Sequence, residues 1–504
     1  MTNVYSAYQQ RLVIIACALT TAMGFIDATA LNVALPVIQT ALSASTTDAH
    51  WVLEIYLLFL AALMMAGGAL GDTIGRRRSM RWGIVAFAVT SLACGLAVTP
   101  FQLILARAAQ GIAAALMVPA SLALINASFA PGERGPAIGR WSAMLTLAIP
   151  LGPVVGGLAV DYLSWRLIFF INLPVSLVVL WLLSKLPKPP FEPENPLPLD
   201  IWGSALITAG LGLLITAALE AGRVGTIHTA QLGLGMTGLV FLLGFFIYEA
   251  RARHPMLPPF LMVNRRFILV SVQTLILFAG FQGGTFFLNF MVIQGYDYGA
   301  FKAGVTGLPI TLIVAVMSRR TGSYVSTHGP RGILMASGVL LAIALYWLSY
   351  FDGDFWAGLV LPMCVLGLGV GCFATPLTTV AMAAAGPGRD GLASGVSNAA
   401  ARIGPLLAIA VFGYFQALVF GEMFYDWLMQ SGLTSQDMQI LRGQQQMMAV
   451  MNLPESWPAS QSAEVRADLQ AMFSDTVRQI LRISAGFALL AGLLSVFYRK
   501  DDVR

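Results

Sequence analysis

Residues 12–36 read LVIIACALTTAMGFIDATALNVALP, twenty-five positions with a single charge, Asp27, and a proline, Pro36, at the end. A helix that crosses a bilayer needs about 20 mostly apolar residues, whereas a barrel strand needs about ten with alternating polarity. This run has the first pattern, so it reads as a membrane-spanning helix. Arg11 stands before it as a signal peptide's charge would. The run is too long for that, however, carries Asp27 and Pro36, and lacks a small-residue cleavage pattern, so it reads as the first span.

The same ruler, moved along the chain, finds further spans at 51–70, 82–98, 101–125, 137–160, 166–184, 201–219, 230–248, 267–293, 303–321, 332–350, 356–383, 393–420 and 480–498. Composition agrees. Of 504 residues, 57% are hydrophobic and 11% charged, with mean hydropathy +0.77. Soluble chains are about 25% charged, and one soluble core cannot bury this much apolar surface. The expected class is an all-α membrane protein with about fourteen spans.

Charge placement sets the expected orientation. With the N-terminus in the cytoplasm, inside segments hold 20 of the 29 basic residues and outside segments 6. Arg107, Arg402 and Arg482 lie within spans. Inside segments together are far more basic than outside ones, as the positive-inside rule requires. This predicts an inner-membrane protein with both termini cytoplasmic. Residues 185–200, KLPKPPFEPENPLPLD, read as a cytoplasmic linker, and polar residues 421–479 as a periplasmic loop with helical pieces near 433–451 and 462–479.

The chain repeats itself. Gly68–Asp72–Gly75–Arg77 has the spacing of Gly322–Ser326–Gly329–Arg331, an offset of 254; the loop at Pro131 echoes that at Pro387, and Pro119 echoes Pro376, at offsets of 256 and 257. The implied organisation is an N-terminal six-helix bundle (1–184), the linker (185–200), two inserted helices (201–250) and a C-terminal six-helix bundle (251–504) carrying the 421–479 loop. Parallel repeats of this kind place a substrate site near the midplane.

Several stretches resemble motifs of the major facilitator superfamily, specifically its fourteen-helix drug:proton antiporters. They are GALGDTIGRRR (68–78), RAAQGIAAALMVPAS (107–121), AIPLGPVVGG (148–157), IDATALNVALP (26–36) and WRLIFFINLP (165–174). Ala148 stands where the antiporter motif usually has Gly, and Ser326 stands where the second loop motif would have Asp. The resemblance implies the major facilitator fold, two six-helix pseudo-repeats plus two inserted central helices. It also implies a conformational latch at Gly68, Asp72, Gly75, Arg76 and Arg78, with Asp72 approaching the start of the thirteenth helix near Gly391–Gly395. In the antiporter motif, Ala148, Gly152 and Gly156 recur every four residues, with Pro153 and Gly157 beside them. Such a small-residue face permits close helix approach and a tight seam, although ordinary membrane packing uses the same spacing.

Ionisable residues within spans are costly, about 2.5–3.5 kcal/mol on the lenient scale, and read as functional. Asp27 is the first choice for a proton-coupling residue, with Arg107 as its charge partner. Glu54, one turn inside the end of the second span, is the second choice, unless its position near the rim leaves it hydrated. Arg402 reads as a brace. In the ninth span, Phe278, Gln282, Phe286 and Asn289 suggest an amphipathic, cation-tolerant substrate cavity, against the plainer reading of lipid-facing rings.

Other chemistries lack a pattern. The four cysteines make neither CxxC nor Cys/His metal spacing, and there is no phosphate loop, catalytic constellation or basic nucleic-acid surface. His50, His228, His254 and His328 lie near loops and read as solvated. No cofactor or metal is expected and the protein reads as no enzyme. Its expected partners are a small-molecule substrate, protons and the lipid bilayer, and nothing identifies an accessory envelope protein. The expected function is proton-coupled efflux of small amphipathic or lipophilic, often cationic compounds by alternating access. A dedicated exporter of a metabolite or lipid-like molecule is the alternative within transport. A channel or membrane enzyme is disfavoured.

Overall fold

The computed structural model describes residues 5–498 apart from 130–136, 138–139, 142–143, 146–150, 187–199, 225–227, 254, 256, 258, 386–389 and 455. The described residues fold into fourteen principal helices: α1 Ala7–Ala41, α2 Thr46–Ile74, α3 Arg76–Leu96, α4 Pro100–Ser128, α5 Leu151–Tyr162, α6 Asn172–Ser184, α7 Ile201–Val224, α8 Thr229–Glu249, α9 Arg265–Phe290, α10 Leu308–His328, α11 Arg331–Leu348, α12 Leu361–Ala385, α13 Asp390–Gln430 and α14 Ala459–Leu494. Thirteen helical stretches are long and apolar enough to cross a membrane. The remaining one, α5, is the described end of the expected span 137–160. Most of that span's first half lies outside the described residues.

Helices are the form a lipid-embedded chain must take, because each backbone N–H and C=O then bonds within its own segment. Pro36, Pro119, Pro376 and Pro405 sit inside helices α1, α4, α12 and α13, as membrane packing allows. Local signals set two starts. The Thr99 side chain accepts from Gln102 N ahead of Pro100, and Asn264 accepts from the backbone N–H of Arg266 and Phe267.

The internal repeat has a backbone counterpart. Gly75 joins α2 to α3 at φ +93°, and Gly329 joins α10 to α11 at φ +82°. Both turns need a residue without a Cβ penalty in the left-handed region. The largest departure from expectation is in 421–479. Helix α13 runs to Gln430, and α14 begins at Ala459, so both helices extend well into the polar stretch. Between them lie a short helix, Ser435–Gly443, and a 3-10 turn, Gln445–Val450.

The chain divides into two compact units. Unit 1 is Met1–Ala34, Trp51–Leu211 and Phe241–Pro259; unit 2 is Leu35–His50, Gly212–Val240 and Phe260–Arg504. In unit 1, α3 lies along α4 and also packs on α6, around a core that includes Met23, Tyr56, Ile84, Phe87 and Met117. In unit 2, α9 packs on α13 and α14, α10 on α12, and α11 on α12 and α14. Helix α8 is the least buried span and exposes Leu232, Met236, Leu239 and Leu243, an apolar surface suited to lipid.

Candidate functional site

Unit 1 gathers five polar side chains at one buried point. Asp27 of α1 and Arg107 of α4 are both 0% exposed, and their ion pair spans 2.5 Å. Asp27 Oδ1 also accepts from Gln110 Nε2 at 3.1 Å and from Asn172 Nδ2 at 3.0 Å. Ser91 Oγ accepts from both amides, at 2.8 Å and 3.2 Å. Arg107 donates further, from Nε to Val52 O at 3.1 Å and from Nη1 to Gln110 Oε1 at 2.6 Å. Its guanidinium lies 4.1 Å from the Tyr56 ring centroid. Helices α1, α2, α3, α4 and α6 therefore each supply a group.

Spacing along α4 explains part of this. Arg107 and Gln110 are three residues apart, so they share a helix face. A buried ion pair holds only when further hydrogen bonds satisfy the remaining lone pairs and protons. Here both Asp27 oxygens are bonded, and Arg107 Nη2 is the guanidinium nitrogen that lacks a hydrogen-bond partner among the described residues. The sequence reading did not single out Gln110, Asn172, Ser91 or Tyr56. Gln110 and Asn172 nevertheless stand inside the quoted stretches RAAQG and FINLP, and an amide in an apolar span was the available signal.

Glu54 differs from Asp27. It was expected one turn inside the end of its span, with a hydrated rim as the alternative. It is 0% exposed, and neither carboxylate oxygen has a hydrogen-bond partner among the described residues. Rim hydration is therefore not its state. An ionised carboxylate in such a place, without a partner, is expensive.

The small-residue stretch meets α1. A Cβ on Gly156 would come within 2.7 Å of Ala30 O, and one on Gly152 would overlap the Thr29 hydroxyl. Gly157 is buried and Pro153 half-buried, while Ala148 lies outside the described residues. In the loop stretch, Gly68 faces Pro119, and Gly75 makes the turn described above. Arg76 Nη1 donates to Ala123 O at 3.1 Å, Arg77 donates to Leu183 O, and Arg78 stacks on Trp82 at 4.9 Å. The Asp72 side chain and those of 391–395 lie outside the described ones, as does the expected contact between them.

The four ninth-span residues do not share one environment. Phe278 is half-buried, with its ring edge-on to Phe373 at 5.1 Å, Gln282 is exposed and Asn289 half-buried. Phe286 is 2% exposed and packs against His50, Phe287 and Phe290. Arg402 is half-buried. His228 and His328 are exposed as expected, and His254 is outside the described residues. His50 corrects the sequence reading. It is not a solvated loop residue but is 2% exposed, because the first turn of α2 is covered by aromatic side chains of α9.

Comparison with known proteins adds the lineage. The tetracenomycin C resistance and export protein of Streptomyces glaucescens is 28% identical over 492 residues, covering 97% of this chain and 91% of that protein. Puromycin resistance protein pur8 of Streptomyces alboniger is 33% identical over 396 residues, 77% of this chain and 78% of its own. Multidrug resistance protein Stp of Mycobacterium tuberculosis is 32% identical over 405 residues, with coverage of 80% and 75%. Among solved structures, a bacterial homolog of the human lysosomal transporter Spinster, inward-facing and unoccupied, superimposes with TM-score 0.66 at 20% identity over 98% of both chains. That likeness concerns the fold. The family pattern described as Major Facilitator Superfamily matches residues 17–409. The long helices of the described residues, a repeated glycine turn and this match together make the chain a member of the Major Facilitator Superfamily.

Proposed function

We propose that this chain is a proton-coupled efflux transporter for small amphipathic or lipophilic, often cationic compounds such as drugs, working by alternating access from an inner membrane with both termini in the cytoplasm. The observation that carries the reading is the pair of buried carboxylates, Asp27 and Glu54, in a family member whose relatives bear the names of resistance and export proteins. Transport of small molecules is the family's work. Proton coupling needs a group whose protonation changes as the path opens to one side and then the other.

The two carboxylates suit different parts of that cycle. Glu54 has no hydrogen bond to break among the described residues, which suits it to carry the exchanged proton. Asp27 is held by Arg107, so a part for it in the cycle is tied to a rearrangement of α1 against α4. Substrate leaves outward as the proton moves inward.

The direct test is purified protein in liposomes with an imposed pH gradient. Addition of a cationic dye should collapse the gradient, and a neutral lipophilic antibiotic should do so less. A susceptibility panel in a pump-deficient host should show resistance to several unrelated compounds. Absence of any drug phenotype, with an endogenous metabolite retained in the deletion strain, would replace this reading with a dedicated metabolite exporter.

A further inference from the structure

The turn between α1 and α2 belongs to unit 2, since Leu35–His50 groups with α9 and α13 rather than with the remainder of its own helices. Gln39 Oε1 accepts from Gln294 Nε2 at 3.1 Å, and within the turn Gln39 Nε2 donates to Thr46 Oγ1 at 3.2 Å. The imidazole of His50 makes a further contact. Its ring centroid lies 5.3 Å from Phe287, 5.5 Å from Phe286 and 6.2 Å from Phe290, all edge-to-face. On the other side is the bare backbone of α13. A Cβ at Gly413 would stand 2.7 Å from His50 Nδ1, so the ring has no room to turn away.

No bonded anion accompanies this ring among the described residues. Helix α9 presents the three phenylalanines. On α13 the charged residues nearest in sequence are Arg402 and Glu422, about 16 Å and 13 Å along the helix axis from Gly413. On α7, Leu219 lies beside Gly413, and the following residue, Glu220, has other interactions of its own. On α2, Asp48 is bonded to Ser45, and Glu54 is one turn on with no hydrogen bond to the imidazole. An imidazolium here would be a cation held out of water and unpaired. Only the neutral ring fits the docked turn.

We propose that His50 is the proton-responsive clasp of this turn: protonation of His50 releases Leu35–His50 from α9 and α13. Histidine is the side chain whose ordinary titration falls between pH 5 and 8, the range over which a proton gradient acts. The consequence for transport rests on the alternating-access reading above. The clasp itself is measurable without transport. Because the docked state excludes the proton, the undocked fraction rises about tenfold for each pH unit below the ordinary histidine value.

Gln294 is 8% exposed beneath Gln39, so a cysteine there reports undocking. The test uses full-length Gln294→Cys in liposomes without substrate, with Cys17, Cys94, Cys364 and Cys372 replaced by alanine. Maleimide labelling is followed from pH 8 to pH 5 and normalised to denatured protein at each pH. Labelling should rise steeply toward pH 5 in the parent and be flat with pH in both His50→Phe and His50→Asn. A flat parent profile would overturn the clasp, and that result does not depend on either variant folding. An unchanged rise in both variants, or a rise abolished by Glu54→Gln but kept by the His50 variants, would also overturn it. A clasp that titrates as stated in a protein that moves no drug would leave this inference standing and remove the proposed function.

Discussion

Arg107 Nη1 lies 2.5 Å from Asp27 Oδ2, eighty residues apart in the chain, with neither side chain exposed. Removing one member of such a pair leaves the other as a buried uncompensated charge, at a cost of about 3–5 kcal/mol.

Asp27→Asn should both abolish gradient-driven transport and lower thermal stability. Arg107→Gln alone should destabilise similarly, and the double variant should recover much of the loss. Thermal unfolding of the three proteins in detergent, read as a double-mutant cycle, gives the coupling. Strict additivity would mean that the pair does not act as a unit.

Glu54→Gln should behave in the opposite way. Its carboxylate has no hydrogen-bond partner among the described residues to lose, so the amide should leave unfolding temperature within a few degrees of the parent. Proton-driven export should nonetheless fall, more for cationic substrates than for neutral ones. The contrast with Asp27→Asn separates a coupling role from a structural one. Normal coupling in Glu54→Gln, measured by pH-gradient collapse, would take Glu54 out of the mechanism.

The contact of α5 with α1 should tolerate substitution unequally. At Gly156 an added methyl meets the backbone of Ala30, which cannot rotate aside. At Gly152 it meets the Thr29 hydroxyl, which would have to give up its 2.7 Å bond to Phe25 O. Gly156→Ala should therefore cost about 1–3 kcal/mol, and Gly152→Ala less, especially when combined with Thr29→Ala. Expression level and unfolding temperature of the three variants check the order.

Asp437 carries the pH prediction for the polar stretch after α13. Hydrogen bonds from the Thr434 hydroxyl and the Trp457 indole hold its carboxyl below its usual range. A depressed carboxyl contributes above its unfolded value and loses that contribution as pH falls through the lowered one. The fluorescence assigned to Trp457, taken as the difference from Trp457→Phe, should be constant from pH 7 to about 4 and change only below. Asp437→Asn should show the acid-form signal at pH 7.

Topology is open to a simple check. Reporter fusions after residues 190, 258, 326 and 504 should read cytoplasmic, and those near 225 and 445 periplasmic. A periplasmic reading after 504 would break the even count of spans.

Most of the spans and the repeat were properties of the chain itself. Lipid forces each long apolar run to satisfy its own backbone, so hydropathy and length mark a span without reference to neighbours, though not how far α13 and α14 run into the polar stretch 421–479. Gly75 and Gly329 could be matched for a similar reason, since a positive-φ turn selects glycine locally. The partners within the helices were a different matter. Nothing in the order of residues says that Asn172 reaches Asp27, that Ser91 holds two amides, or that Glu54 is dry while Asp27 is bonded. His50 looked like a loop residue because it begins a helix beside a turn. It is buried because α9 brings three phenylalanines over it. Hydropathy is summed residue by residue along one helix, whereas a side chain's surroundings depend on how that helix is rotated and which others press against it, and packing alone decides that.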